Sequence, residues 1–212
     1  MMTPARTTFV SPEIARLRNL TTIEIGYGLW PTFDGYCLIP MPTPSAVADL
    51  VNKNGRHLRE IRLSGDPLWT VHLPNLERLT LTEVQRPTAL APVLEVGRLT
   101  VLRLYVLEYA LEQFVGVLSS AASTCPALLD LKLICESGSP MPTGMMHAVA
   151  KFVQSKKHLE RLHVLYYGPC LVDDAPLVRV LKDLPAIRAV GFELARKRIR
   201  AEDLPLYDAA IP

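Results

Sequence analysis

The chain has 212 residues, of which 49% are hydrophobic and 21% charged, a composition that excludes general disorder and supplies enough apolar surface for a packed core. The 23 basic and 21 acidic residues leave a net charge of +2, so no charge excess points to nucleic-acid binding. The longest uncharged stretch, 113–129, has 17 residues including four Ser or Thr and one Pro, whereas a membrane span needs about 20 mainly apolar residues. We therefore expect neither nucleic acid nor a membrane as partner.

One six-residue pattern, apolar-x-x-apolar-x-apolar, recurs seven times along the chain. Its copies start at Leu20, Leu58, Leu76, Leu99, Leu128, Leu159 and Ile187, and successive starts lie 18 to 38 residues apart, about 28 on average. Leucine-rich repeats have a period of about 20–29 residues and carry Leu-x-x-Leu-x-Leu at their strand. The pattern predicts strands near 22–26, 60–64, 78–82, 101–105, 130–134, 161–165 and 189–193.

Segments between the predicted strands show the apolar spacing of helices where they are long enough. The predicted helical segments are 46–51, after Ser45 and ending at Asn54–Gly55; 107–118; 145–152, after Thr143 as N-cap; and 177–184, after Asp174 as N-cap. The segment between Leu58 and Leu76 is too short for a helix and is expected to cross over as a loop.

The 18 prolines, about 8.5% of the chain against an average near 5%, partly punctuate the repeat. Pro74, Pro126 and Pro185 each stand two residues before the first apolar position of a repeat. Proline suits a strand entry because it has no N–H to donate to a neighbouring strand.

These elements predict an α/β leucine-rich-repeat solenoid, a right-handed arc with a parallel sheet on its concave face and helices and loops on its convex face. A single domain is expected over 1–212, with 196–212 as a C-terminal cap or tail. Asn or Cys would stand at the ninth position of extracellular or ribonuclease-inhibitor repeats. Here that position varies, so the turns are expected to close differently.

The phrases Leu-Pro-x-Leu-x-x-Leu-x-Leu at 73–81 and Cys-Pro-x-Leu-x-x-Leu-x-Leu at 125–133, with unequal spacings and helical crossovers, resemble the leucine-rich-repeat region of fungal F-box proteins. The resemblance covers about residues 15–195. It implies that the arc holds a substrate protein, while a separate F-box docks the Skp adaptor of a cullin–RING ubiquitin ligase. No F-box-like Leu-Pro-x-Glu-Ile-Leu segment precedes Leu20, so Skp is expected as a partner only if an F-box is supplied upstream.

Side chains alternate along a strand, so the positions between the repeated apolar residues should face the concave side. One predicted row is a basic stripe without matching acids, formed by Arg62, Arg103, Lys132 and His163. Beside it an apolar strip is expected, formed by Tyr105, Ile134 and Leu165 with Tyr166 nearby. Arginine beside exposed aromatic and aliphatic residues is typical of protein interfaces, and Arg can hold an acidic or phosphorylated segment through paired hydrogen bonds.

A solvated polar face is the alternative interpretation of this stripe. Two lateral ion pairs are also expected between neighbouring strands, Glu60 with Arg78 and Asp130 with Arg161.

No catalytic or cofactor motif is present: the sequence contains no phosphate-binding loop, no Gly-x-Gly-x-x-Gly, no Gly-x-Ser-x-Gly and no His-Glu-x-x-His. The four cysteines form no Cys-x-x-Cys pair, so reduced thiols in the cytoplasm or nucleus are expected, without a metal. Cys135 and His163 come from adjacent repeats, but Cys135 is expected in the turn after its strand and out of contact with His163.

Trp30 and Trp69 are expected in proline-containing loops that pack on each other at one rim of the arc.

The sequence thus predicts a monomeric, non-catalytic interaction module without cofactors, the substrate-recognition part of an F-box-like receptor. A free-standing repeat scaffold unrelated to ubiquitination and a fragment of a longer product stay open as alternatives.

Overall fold

A computed structural model describes residues 17–25, 29–32, 35–38, 44–137, 139–167 and 175–194. Its main feature is a sheet of seven strands in which each strand pairs in parallel with the next one. The strands are β1 (Thr22–Ile25), β4 (Glu60–Ser64), β5 (Arg78–Val84), β6 (Val101–Leu107), β7 (Asp130–Glu136), β8 (Arg161–Tyr167) and β9 (Ala189–Leu194). The α/β fold with one parallel sheet, predicted from the repeats, is therefore observed.

Helices lie in the crossovers between these strands. They are α1 (Pro44–Asn54), α2 (Ala91–Leu94), α3 (Leu111–Ser120), α4 (Met145–Val153) and α5 (Ala175–Leu181), with short 3₁₀ turns at Pro87–Leu90 and Glu108–Ala110. A separate antiparallel hairpin, β2 (Leu29–Thr32) and β3 (Gly35–Leu38), follows β1. The crossover from β4 to β5 contains no helix, as its length predicts.

Along each strand the side chains alternate between two environments, apart from an irregularity near the end of β5. In β7, for example, Leu131, Leu133 and Cys135 are buried to within 1% of full coverage, while Lys132 and Ile134 between them are only partly covered. The buried apolar side chains of β1 and β4 to β8 and of the helices belong to one cluster, against which the partly buried Val190 and Phe192 of β9 pack. Helices therefore cover one face of the sheet, and we call the opposite face the open face.

Several predicted boundaries differ from the observed ones. The strands β5 to β8 each run two residues further than predicted, so Leu107 ends a strand instead of starting a helix. Helix α4 begins after Gly144, whose φ of 88° is left-handed, and the predicted cap Thr143 is wrong. Helix α1 already begins at Pro44, which places the predicted cap Ser45 inside it, and Leu184 lies beyond the end of α5.

Two elements were not predicted: the hairpin β2–β3 and the helical segment 87–94. The predicted loop around Trp30 is instead strand β2. The helical segment 87–94 contains Pro87 and Pro92, and each stands in the first turn of its helix, where proline is tolerated. The predicted cap Asp174 and the predicted tail 196–212 lie outside the described residues.

The turn after β4 shows how one repeat closes without an asparagine ladder. The carboxylate of Asp66 accepts hydrogen bonds at 2.8 Å from the backbone N–H groups of both Gln85 and Arg86, in the turn after β5. Asp66 stands at the ninth position of its repeat. A carboxylate therefore satisfies two backbone donors of the turn that follows the next strand.

A lysine lies fully buried behind the sheet, between the crossovers that carry α3 and α4. The ammonium of Lys156 donates to the carbonyl of Ala122 at 2.7 Å and to the hydroxyl of Ser155 at 2.8 Å, and it lies 4.5 Å from the centre of the Phe152 ring. Burial lowers the pKa of Lys156 to about 8, and the nearby Cys125 opposes that shift only in part. The folded chain therefore loses the proton of Lys156 at a lower pH than the unfolded chain does.

We predict a difference between the two faces of one strand. Leu133→Ala, which truncates a fully buried side chain, should lower the free energy of unfolding by about 2–5 kcal/mol because it leaves a cavity. Ile134→Ala on the open face is the matched control and should cost about 1 kcal/mol or less. Urea unfolding of both variants measures the costs, and equal costs would contradict the assignment of faces.

The buried lysine predicts a dependence of stability on pH. The pKa falls from 10.5 in the unfolded chain to about 8 in the folded one, so between these values the unfolded state binds more protons and stability rises with pH. Lys156→Met lacks this titration. As the pH rises from about 8 to about 10, the native chain should therefore gain on the order of 1–3 kcal/mol in unfolding free energy relative to the Lys156→Met variant. A pH-independent difference in urea unfolding under reducing conditions would refute it.

Candidate functional site

The open face carries a concavity of about 530 Å³ over the middle of the sheet. Strands β5 to β8 form it, and its lining residues are Thr80, Leu81, Thr82, Arg103, Leu104, Tyr105, Asp130, Lys132, Ile134, Arg161 and His163. We call this concavity the central pocket. Its position follows from the parallel register, which sets the outward residues of neighbouring strands directly side by side.

The carboxylate of Asp130 organises the floor of the central pocket. Its Oδ2 accepts a hydrogen bond from Nη2 of Arg103 at 3.2 Å and forms an ion pair with Nη2 of Arg161 at 3.3 Å, so one oxygen joins side chains of three strands. The Asp130 side chain is only 6% exposed, whereas the two arginines are about half exposed. A carboxylate so covered is expected to need both cations, and the arginines in turn are held in fixed positions.

The predicted pair of Asp130 with Arg161 is therefore observed, but the basic stripe without matching acids is wrong. Arg103 contacts Asp130, and at the other end of the sheet Arg62 contacts Glu60 at 2.8 Å and Glu24 at 3.5 Å. The predicted pair of Glu60 with Arg78 is also wrong, since Arg62 of the same strand takes the Glu60 carboxylate. These pairings depend on the reach of long side chains, which a repeat pattern does not fix.

Two members of the predicted stripe, Lys132 and His163, have no acidic partner among the described residues, as the sequence predicts. Within the ranges that the structure describes, Lys132 and His163 form no ion pair, and both line the central pocket. The imidazole of His163 lies over Gly191 of the next strand, where a Cβ atom would stand only 2.7 Å from Nδ1. Glycine at this position is therefore what leaves room for the ring.

The three residues of the predicted apolar strip, Tyr105, Ile134 and Leu165, lie side by side on β6, β7 and β8. Tyr105 and Ile134 are half-buried and line the central pocket, with the Tyr105 hydroxyl hydrogen-bonded to Glu136. Leu165 lies beside Ile134 on the open face, outside the lining, and Arg62 is two strands away from Arg103. Tyr166 is on the other face, 1% exposed, and its hydroxyl donates to the carbonyl of Ser139 at 2.7 Å.

Sequence reasoning missed three contributors to the central pocket. The hydroxyls of Thr80 and Thr82 and the link from Arg103 to Asp130 belong to its lining, and Gly191 beside it leaves room for the His163 ring. All of these residues stand in the outward rows of the repeat, so the register could have placed them side by side. Only the geometry shows which of them touch.

The Cys135–His163 pair does not form, for a reason other than the predicted one. Cys135 lies within β7, not in a turn, and faces the covered side, whereas His163 faces the open side. Burial raises the pKa of the Cys135 thiol to about 12, which disfavours a nucleophilic thiolate. Burial likewise raises the pKa of Cys125.

Other expected features can be placed as well. Trp69 is half-buried in the loop after β4 and packs against the apolar core, while nothing is described of the Trp30 side chain. Across the described ranges, no three or more His, Cys, Asp or Glu side chains cluster as a metal site would need. In the same ranges no helix has the length and apolar character required to cross a membrane.

Comparison with known proteins adds no assignment: no protein-family model, curated protein or solved structure matches the chain. The site must be interpreted from its own residues.

The shared carboxylate predicts a strong coupling that an exposed ion pair lacks. A double-mutant cycle of Asp130→Asn with Arg161→Met should give a coupling free energy of about 1–3 kcal/mol because the carboxylate is almost fully covered. The control cycle, Glu77→Gln with Arg59→Met, tests a pair at 3.5 Å whose side chains are 42% and 66% exposed, and should give less than about 1 kcal/mol. Equal couplings in urea unfolding would show that Asp130 does not organise the floor.

Proposed function

We propose that this chain is a non-catalytic protein-binding module of the leucine-rich-repeat class, and that its open face takes an acidic or phosphorylated segment of a partner protein. The central pocket is the observation that carries the proposal. It combines cationic side chains with the half-buried Tyr105 and Ile134, a mixture that fits a peptide segment better than a small metabolite.

Three features support the repeat class. The apolar pattern recurs once per strand of the main sheet, each of these strands pairs in parallel with the next, and the described helices of the crossovers pack against one face. A right-handed arc with the open face on its concave side is the arrangement that such repeats adopt. An interaction role is also favoured because the open face presents outward side chains from seven strands, and none of the described helices packs over it.

We further propose that the module is the substrate-recognition part of an F-box-like ubiquitin-ligase receptor, acting as a monomer in the cytoplasm or nucleus. This step rests on the resemblance of segments 73–81 and 125–133 to fungal F-box proteins. Skp would be a partner only through an F-box supplied upstream. A free-standing repeat scaffold is the second candidate, since partner binding at the open face needs no ligase.

The binding proposal predicts the effect of a double substitution. Arg103→Ala with Tyr105→Ala removes a cation and an aromatic ring from the central pocket, and recovery of specific partners in affinity purification should fall by about tenfold or more. The control is His147→Ala with Lys151→Ala. Both side chains are solvent-exposed on helix α4, which packs against the face of the sheet opposite the central pocket. Unchanged recovery by a variant that keeps the native circular dichroism would eliminate the open face as the binding surface.

The same purification separates the two candidate functions. If the gene encodes an in-frame F-box upstream, the intact product should recover Skp and cullin together with the partner, regardless of the Arg103 and Tyr105 substitutions. Recovery of partners without Skp and cullin from the intact product would favour the scaffold.

A further inference from the structure

The buried amine of Lys156 occupies a position that other repeats give to uncharged residues. Lys156 stands three residues before the first apolar position of its repeat. In the other repeats from Leu58 onward the equivalent residues are all buried, and they are Gly55, Leu73, Val96, Cys125 and Leu184. A buried cation is costly unless an anion is paired with it. Packing of the repeat therefore does not call for a lysine here.

Among the described residues no carboxylate neutralises this ammonium. Its partners are the carbonyl of Ala122, the hydroxyl of Ser155 and the ring of Phe152, and within the described ranges it enters no ion pair. The lowered pKa of Lys156, about 8, is what burial without a compensating charge produces. An anion placed beside this amine would therefore be held strongly.

The hydroxyl of Ser155 is the point at which such an anion can be added. Ser155 is solvent-exposed, in the turn between the end of α4 and the start of β8, so an enzyme can reach it. Its Oγ lies 2.8 Å from Nζ of Lys156 and donates to the carbonyl of Ala122 at 2.5 Å. A group attached to this oxygen is thus brought directly beside the buried amine.

The residues that follow Ser155 are basic. The sequence at 155–158 is Ser-Lys-Lys-His, and both Lys157 and His158 are exposed. Protein kinases select their substrates partly through patterns of charge around the hydroxyl. A run of basic residues directly after a serine suits a kinase whose substrate groove is acidic.

We infer that Ser155 is a phosphorylation site and that its phosphate serves as the counterion of Lys156. In the active site of the kinase the Ser155 oxygen attacks the γ-phosphorus of a nucleoside triphosphate. The bond from Oγ to phosphorus forms, the bond to the bridging oxygen breaks, and the nucleoside diphosphate leaves. The hydroxyl proton goes to the base of the kinase. Ser155 and Lys156 lie outside the lining of the central pocket, so this site is independent of what the open face binds.

The phosphate strengthens the junction of two crossovers. Phosphoserine carries about −1.5 to −2 at pH 7 and has three acceptor oxygens, so Lys156 gains a charge-assisted hydrogen bond. Lys156 keeps its contact with Ala122, which lies just after α3, and thereby ties the α4 crossover to the α3 crossover. The C-terminal end of α4 opposes this anion through its dipole, but direct contact with a full positive charge outweighs that partial charge.

The first experiment incorporates phosphoserine at position 155 of the full chain and follows Lys156 by NMR of ¹³C-labelled lysine side chains. The pKa of Lys156 should rise by about one unit or more, because the phosphate favours the charged amine. Phosphoserine at position 45, exposed in the first turn of α1, is the matched control and should leave that pKa unchanged. An unchanged pKa with phosphoserine at 155 would show that the phosphate is not the counterion.

Thermal unfolding of the same chains provides a second readout. Phosphoserine at 155 should raise the midpoint by about 2 °C or more. In the Lys156→Met background this increase should disappear, because the cation that holds the phosphate is gone. An equal increase in both backgrounds would contradict the role of Lys156.

The second experiment tests whether the phosphate is added. The full chain is incubated with an extract of the cells that express it and with ATP labelled in the γ-phosphate, and the label is located by mass spectrometry. Ser155 should be labelled, and Lys157→Met should reduce its labelling several-fold. Lys182→Met, which removes an exposed cation beyond the end of α5, should leave it unchanged. Absence of label at Ser155 overturns the assignment, even if other serines are labelled.

Discussion

Each strand of the main sheet has to place its repeated apolar side chains against the helices, and it can do so only if the apolar positions of neighbouring strands stay side by side. A slip of one residue would turn Leu131 and Leu133 outward and bring Lys132 into the core. Since the register is held by burial on one side, it is fixed on the other side as well. The outward rows, and with them the central pocket, are therefore a consequence of how the leucines pack.

This dependence explains how much the sequence predicts. The strand positions and the neighbours within each outward row follow from a pattern with a period of two along the strand, which burial enforces. The register between β5 and β6 departs from it after Leu81, where Glu83 adopts a positive φ of 58°. A local bulge of this kind leaves no repeat signal, so the row through Thr82 and Tyr105 is less regular than the pattern implies.

Ion pairing could not be predicted in the same way. The Cα partners of Glu60 include Arg78, yet its carboxylate contacts Arg62, two residues along its own strand. A flexible arginine can reach acids on its own strand or on a neighbouring one, and these alternatives differ by little energy on an exposed surface. The hairpin β2–β3 and the helical segment 87–94 were missed for a related reason, because prolines mark both breaks and first helical turns.

Repeat proteins are commonly described as chains of units in which each unit interacts only with the next. The single oxygen of Asp130 that holds Arg103 and Arg161 departs from that description, because it ties β6 and β8, which are not neighbours, through the strand between them. If β6 or β8 opened, the nearly buried carboxylate of Asp130 would keep only one of its two arginine partners. The three repeats should consequently exchange their amide hydrogens as one cooperative block, more protected than the repeats on either side.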